Sequence, residues 1–171
     1  MSSFIVNTSK LLNNYIEKDD SLTQKKSSDI IKFLSENKDY SNFYYILKLS
    51  KLSHRYLEFS KDVAEKSMDK KLTLFVVNNK NLNYNLDKLS KDDAINIINF
   101  STLPTKLNKY YLLTCINSDL TTYSNINKLN IVNINNRNIL DKKSIIIKYN
   151  IFNNDNLIIH EINNLLIPYI I

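Results

Sequence analysis

The chain runs for 171 residues without a single glycine. Glycine enters the left-handed backbone region at no steric cost, so every tight turn here that needs a positive φ must use a residue carrying a Cβ. Asparagine and aspartate tolerate that region best among the alternatives, and the chain holds 27 asparagines. Turns are accordingly expected at Asn135–Asn138 and Asn153–Asn156. The same lack removes the glycine-rich loops that cradle dinucleotides and phosphates, and a kinase-type cover over ATP.

The longest helical pattern is Ser41–Met68. Tyr45, Leu49, Leu52, Tyr56, Phe59 and Val63 recur in alternating steps of four and three, and Phe43, Ile46, Leu57 and Ala64 widen the stripe. This predicts one continuous central helix with neighbours on more than one side. Two shorter helices are expected before it. The first carries Leu11, Leu12, Tyr15 and Ile16 on one side; the second begins at a capping box, Ser21–Gln24, and buries Leu22, Ile30, Ile31, Phe33 and Leu34.

Beyond a charged break at Asp69–Lys71, Leu72–Val77 reads as a strand or as residual helix, because a short apolar run fixes no period. Ser90–Asp93 has capping-box spacing ahead of Ala94, Ile97 and Ile98. Pro104 suits the first turn of a further helix through Leu107, Tyr110, Tyr111 and Thr114, which Asn117–Asp119 should stop. Isoleucine then becomes frequent: Leu129, Ile131 and Ile134 favour an extended segment, and Ser144–Phe152 is the strongest strand candidate. Near the end, Ile158, Ile162, Leu165 and Leu166 share a helical face, although Leu157–Ile159 alone could be a strand; Pro168 argues against helix to the terminus.

The expected class is α+β: a predominantly helical N-terminal two-thirds organised around the long central helix, with a small C-terminal β hairpin or sheet. Residues 1–120 form the helix-rich core, and residues 121–171 a mixed β-containing annex packed with it as a single domain. At 43% hydrophobic residues the chain can bury a proper core. Its apolar residues are mostly isoleucine, leucine, tyrosine and phenylalanine, with two alanines, Ala64 and Ala94. This bias follows A/T-rich codons and suggests the genome of a virus, parasite, endosymbiont or organelle.

The net charge of +6 arises from 23 basic and 17 acidic side chains with no separate basic tail. It can aid contact with nucleic acid, an anionic membrane or an acidic partner, or simply reflect lysine-rich coding. One cysteine, Cys115, excludes an intrachain disulfide. The opening residues lack the pattern of a secretion signal, and no stretch approaches the ~18 apolar residues of a spanning helix. A cytoplasmic location, including that of a host cell, is the expectation.

Chemical candidates are sparse. His54 and His160 are the only histidines, and with Cys115 they establish no zinc shell. His54 stands four residues before Glu58 and suits a surface hydrogen bond. His160-Glu161 matches only two letters of a metalloprotease motif. Cys115 reads as a buried small apolar residue. Asp92 and Asp93 suit a helix N-terminus better than an acidic active pair, and the same caution covers Asp19-Asp20. No cofactor, metal or catalytic residue is assigned.

Tyr44, Lys48, Lys51 and Arg55 on the central helix form the one candidate interaction face. Its charges could neutralise phosphates while its aromatic residues stack on bases, or the same mixture could meet a protein. The favoured function is a non-enzymatic protein-interaction or regulatory adaptor with an unidentified protein partner, or with further copies of itself. The alternatives are a nucleic-acid-binding protein using the basic-aromatic face, and an enzyme with a spatially assembled site.

Overall fold

The computed structural model describes residues 29–53, 71–124 and 126–169. These hold four α-helices, α1 (Asp29–Glu36), α2 (Ser41–Ser50), α3 (Lys91–Phe100) and α4 (Lys109–Thr114). Seven strands accompany them: β1 (Leu72–Val77), β2 (Thr102–Leu103), β3 (Asn117–Leu120), β4 (Leu129–Ile134), β5 (Arg137–Leu140), β6 (Ser144–Asn153) and β7 (Leu157–Ile162). All seven join one sheet in the order β2-β1-β7-β6-β5-β4-β3, which curls into a nearly closed barrel. The molecule is therefore β-rich, which overturns the helix-rich expectation.

The long central helix does not exist as one rod. Helix α2 ends at Ser50, and Lys51 takes a left-handed conformation with φ 57° while its N–H donates to Lys48 C=O. The Ser50 hydroxyl donates to Leu47 C=O at 2.7 Å and accepts from the Leu52 N–H at 3.2 Å, closing the helix end. The buried stripe also differs from the expected one. Phe43, Ile46, Leu47 and Ser50 face inward, whereas Tyr45 is 47% exposed. Phe43 and Ile46 of the expected stripe are buried and Leu49 and Leu52 pack partly against the same core, so the difference lies in Tyr45, whose hydroxyl tolerates water, and in the unforeseen Leu47 and Ser50. The remainder of the expected helix, Arg55 to Met68 with Tyr56, Leu57, Phe59, Val63 and Ala64, lies outside the described residues, as do the expected helix at Leu11–Ile16, the Ser21–Gln24 box and Asp19-Asp20.

Strands β1 and β7 explain why the sheet was hard to read. They run parallel, Leu72 opposite Leu157 through Val77 opposite Ile162, and every residue of both is buried. A strand covered on both faces has no alternation of apolar and polar residues, so LTLFVV and LIIHEI carry no period-2 signal.

Two cores lie on opposite faces of the sheet. Leu72, Leu74 and Val76 of β1 and Leu157 and Ile159 of β7 pack against Ile30 and Leu34 of α1, Phe43, Ile46 and Leu47 of α2, and Ala94, Ile97 and Ile98 of α3. The alternate residues Phe75, Val77 and Ile162 fill the barrel interior with Leu112, Leu129, Ile131, Leu140 and Ile146. Each fully buried large side chain contributes about 1.5–3 kcal/mol relative to exposure.

Local signals behave as their chemistry requires. Ser90 Oγ accepts from Asp93 N–H at 3.1 Å and Asp93 Oδ2 accepts from Ser90 N–H at 3.3 Å, a capping box that starts α3. The expected helix at Pro104 begins later, at Lys109, where Asn108 caps it by accepting from Tyr111 N–H. Asn117–Asp119, expected as a stop, forms the edge strand β3. Positive φ falls on Asn135, Asn136, Asp141 and Asn150, and also on Lys51 and Lys142. The pair Asn135-Asn136 joins β4 to β5 with Ile134 opposite Arg137, a two-residue turn whose central residues both need φ above zero.

Candidate interaction surface

Strand β6 is irregular where it meets β7. Ile146 pairs with Ile162, Lys148 with Glu161 and Phe152 with Ile159, so extra residues are inserted in β6 on either side of Lys148. Such bulges bend a strand and re-aim its side chains. Two buried polar groups on β7, His160 at 0% and Glu161 at 1% exposure, sit opposite this stretch and point to opposite faces.

His160 faces the barrel interior. Its Nδ1 accepts from the Asn150 N–H at 3.1 Å, and its Nε2 lies 2.7 Å from Leu107 C=O. A backbone N–H only donates and a carbonyl only accepts, so the ring is the neutral tautomer carrying its proton on Nε2. Burial holds its pKa down at about 4, partly offset by the bond to Leu107. The ring edge of Tyr149 meets it at 5.7 Å and Phe75 lies 5.8 Å away. The Tyr149 hydroxyl donates to Asn138 Oδ1 at 2.7 Å, and the Asn138 amide donates to Leu112 C=O at 2.7 Å. Asn133 similarly bonds Leu113 C=O, so side chains of β4 and β5 donate to carbonyls in the last turn of α4.

Glu161 faces the helices. The Tyr40 hydroxyl donates to its carboxylate, and Lys148 Nζ lies 3.3 Å from the same oxygen. Burial, then the bond to Glu161 and the carboxylate's charge, push the Tyr40 hydroxyl pKa well up. These buried groups are engaged with one another: they pin the bulged strand, the Leu107 segment and the 3-10 turn at Tyr40 to β7. Cys115 is buried just past α4, its thiol facing Tyr111 C=O at 3.5 Å, and burial pushes its pKa up, which disfavours the nucleophilic thiolate. Among the described residues no cluster of three His, Cys, Asp or Glu side chains is arranged to hold a metal ion.

Of the expected interaction face, Tyr44 packs partly against the first core and Lys48 Nζ sits over its ring, 5.5 Å from the ring centre. Lys51 is exposed at the helix end. Arg55 and His54 lie outside the described residues.

A different surface stands out on the sheet. Helices α1–α3 cover the outer face of β1 and β7, while the same face of β4, β5 and β6 carries Val132, Ile139 and Ile145 directly opposite one another in register. Ile134 at 51% exposure and Ile147 at 42% extend the strip, and none of the five belongs to either core. Asn117 and Asp119 of β3 border it on one side, opposite Val132 and Asn130, and Arg137 and Lys148 border it at the diagonally opposite corner. Asn130 Nδ2 donates to both Asn117 Oδ1 at 3.0 Å and Asp119 Oδ1 at 2.9 Å, fixing the polar border. The strip escaped the sequence reading because its members become neighbours only through strand register; alternation along β4 was its one local trace.

Among solved structures, that of a FAS1 domain pair from the insect cell adhesion molecule Fasciclin I superposes with a TM-score of 0.61 at 15% identity, over 81% of this chain and 50% of that one. The fold is similar to that of a FAS1 domain. The chain thus spans half the length of the FAS1 pair it matches, and the FAS1-like sheet replaces the expected helical core. The expectation of a viral protein gains no support from this likeness, which is to an insect molecule. No protein-family model matches the chain, and no curated protein matches it. No helix among the described residues is long and apolar enough to cross a membrane.

Proposed function

We propose that this chain is a protein-interaction domain that recognises its partner with the outer face of β4, β5 and β6. The carrying observation is the in-register row Val132, Ile139 and Ile145, continued by the exposed Ile134 and Ile147, which packs in neither core. Branched apolar side chains on a rigid sheet bury area on contact at little cost in rotamer freedom, and a charged border sets orientation. The FAS1-like fold supports the reading, because its solved counterpart belongs to a cell adhesion molecule. The buried bonds of His160 and Glu161 serve this role by stiffening the bulged β6 strand that ends the strip.

The test places a photo-crosslinking residue at Ile134 in the full chain and, separately, at exposed Asp87 as a control. Adducts containing peptides of one protein should form reproducibly from Ile134 and be lost when Ile139→Lys is added. Equal adduct patterns from both positions would reject the surface.

A further inference from the structure

The arrangement of charge around the strip narrows the partner. Asp119 pairs with Asn130 at one end of β4, and Arg137 pairs with Ile134 at the other end; Lys148 follows Ile147 on β6, three strands away from β3. With strands ~4.8 Å apart and ~3.4 Å per residue, the acidic and basic corners lie roughly 20 Å apart across the apolar strip. A two-fold axis lying in the interface, perpendicular to the line that joins the two corners, sets each corner of one copy against the opposite corner of the other. Asp119 then meets Arg137 of the second copy, twice, while the two apolar strips cross each other at the centre of the contact; Lys148 adds positive potential to that corner from its place beside Glu161.

We propose that the partner of this face is a second copy of the chain, joined in an isologous, face-to-face dimer; this rests on the interaction reading above. Self-complementarity is what closed two-fold assembly requires, since one patch must serve both sides. Pairing through the sheet edge is discouraged, because edge strand β3 presents Asn117, Ser118 and Asp119 and has only four residues. The three-strand strip is also small beside the ~800 Å² per partner of a standard stable interface, so association is weak and depends on concentration.

Sedimentation equilibrium of the purified full chain should show monomers giving way to dimers as concentration rises through the micromolar to millimolar range expected of small interfaces. Ile139→Lys should abolish the dimer. Asp119→Arg and Arg137→Asp should each weaken it about tenfold through like-charge contact, and the two together should restore association to within about threefold of the parent. Misfolding cannot produce that restoration, so the pair guards against a variant that merely unfolds. In a mixture of isotopically light and heavy copies, the photo-crosslinker at Ile134 should give mixed-isotope adducts. A monomer at every concentration, or association indifferent to Ile139→Lys, would overturn the dimer. Crosslinks from Ile134 to residues 1–28 of the same copy would assign the strip to the chain's own N-terminal segment, and crosslinks only to a different protein would overturn the dimer while leaving the interaction reading intact. Absence of any protein crosslink at Ile134 would sink both.

Discussion

The backbone N–H of Asn150 donates to Nδ1 of His160 at 3.1 Å, joining the left-handed bulge residue of β6 to the buried side chain of β7. The bond works only with neutral imidazole, because protonation turns Nδ1 from an acceptor into a donor facing another donor. His160 has a folded pKa of about 4 against an ordinary 6.5, so the unfolded chain binds the proton first. Its stabilising contribution is complete above about pH 6.5 and is lost as pH falls from there towards 4, amounting to about 2 kcal/mol by pH 5. Urea unfolding at pH 7.5 and pH 5 should show that loss in the parent and not in His160→Gln. An equal loss in both would refute the assignment.

Asn150 itself tests the absence of glycine. Its φ of 54° disfavours any branched side chain. Asn150→Val should lower stability by about 1–2 kcal/mol, whereas Asn150→Gly should be near neutral, relief of strain offsetting the greater entropy lost on folding. Denaturant midpoints of the two variants provide the comparison, and equal effects would contradict the backbone argument.

Tyr40 and Glu161 form the buried pair on the opposite face of β7. Removing the hydroxyl with Tyr40→Phe withdraws a donor from a carboxylate that is 1% exposed and should cost about 1–3 kcal/mol. Combining it with Glu161→Gln should cost less than the sum of the two single changes. A double-mutant cycle with no coupling would show that the bond contributes nothing to stability.

Helix α2 receives its N-terminal partner from a distant loop. Asn79 Oδ1 accepts from the Asn42 N–H at 3.0 Å, while the same side chain donates to Lys38 C=O at 2.8 Å and Ser41 Oγ at 2.9 Å. Asn79→Ala should destabilise by about 1–2 kcal/mol, as loss of a helix cap does. Asn79→Asp, which keeps the acceptor and loses both donors, should fall between. Thermal unfolding of the three proteins checks the order.

The legible parts of the fold were those governed by neighbours in sequence. Ser90 and Asp93 formed their capping box, Asn135-Asn136 made the turn, and Ser144–Phe152 was a strand, because each depends on bonds or sterics within a few residues. Leu157–Ile162 stayed ambiguous, since burial on both faces erases periodicity. The sheet face at Val132, Ile139 and Ile145 was invisible for a related reason: its residues come from three strands and share a surface only once register is set.

From sequence alone follow the exclusion of glycine-dependent phosphate loops, the use of asparagine at forced turns, and enough apolar material for a core. Tertiary structure decided which helical face of Ser41–Ser50 is buried and that Leu72–Val77 and Leu157–Ile162 pair as parallel strands. It also decided which groups meet His160 on one side of the sheet, Asn150 and Leu107, and Glu161 on the other, Tyr40 and Lys148. The reason is that these outcomes depend on contacts between segments far apart in sequence, such as β1 with β7 and Tyr40 with Glu161, whose free energies outweigh local preference without leaving a mark in local composition.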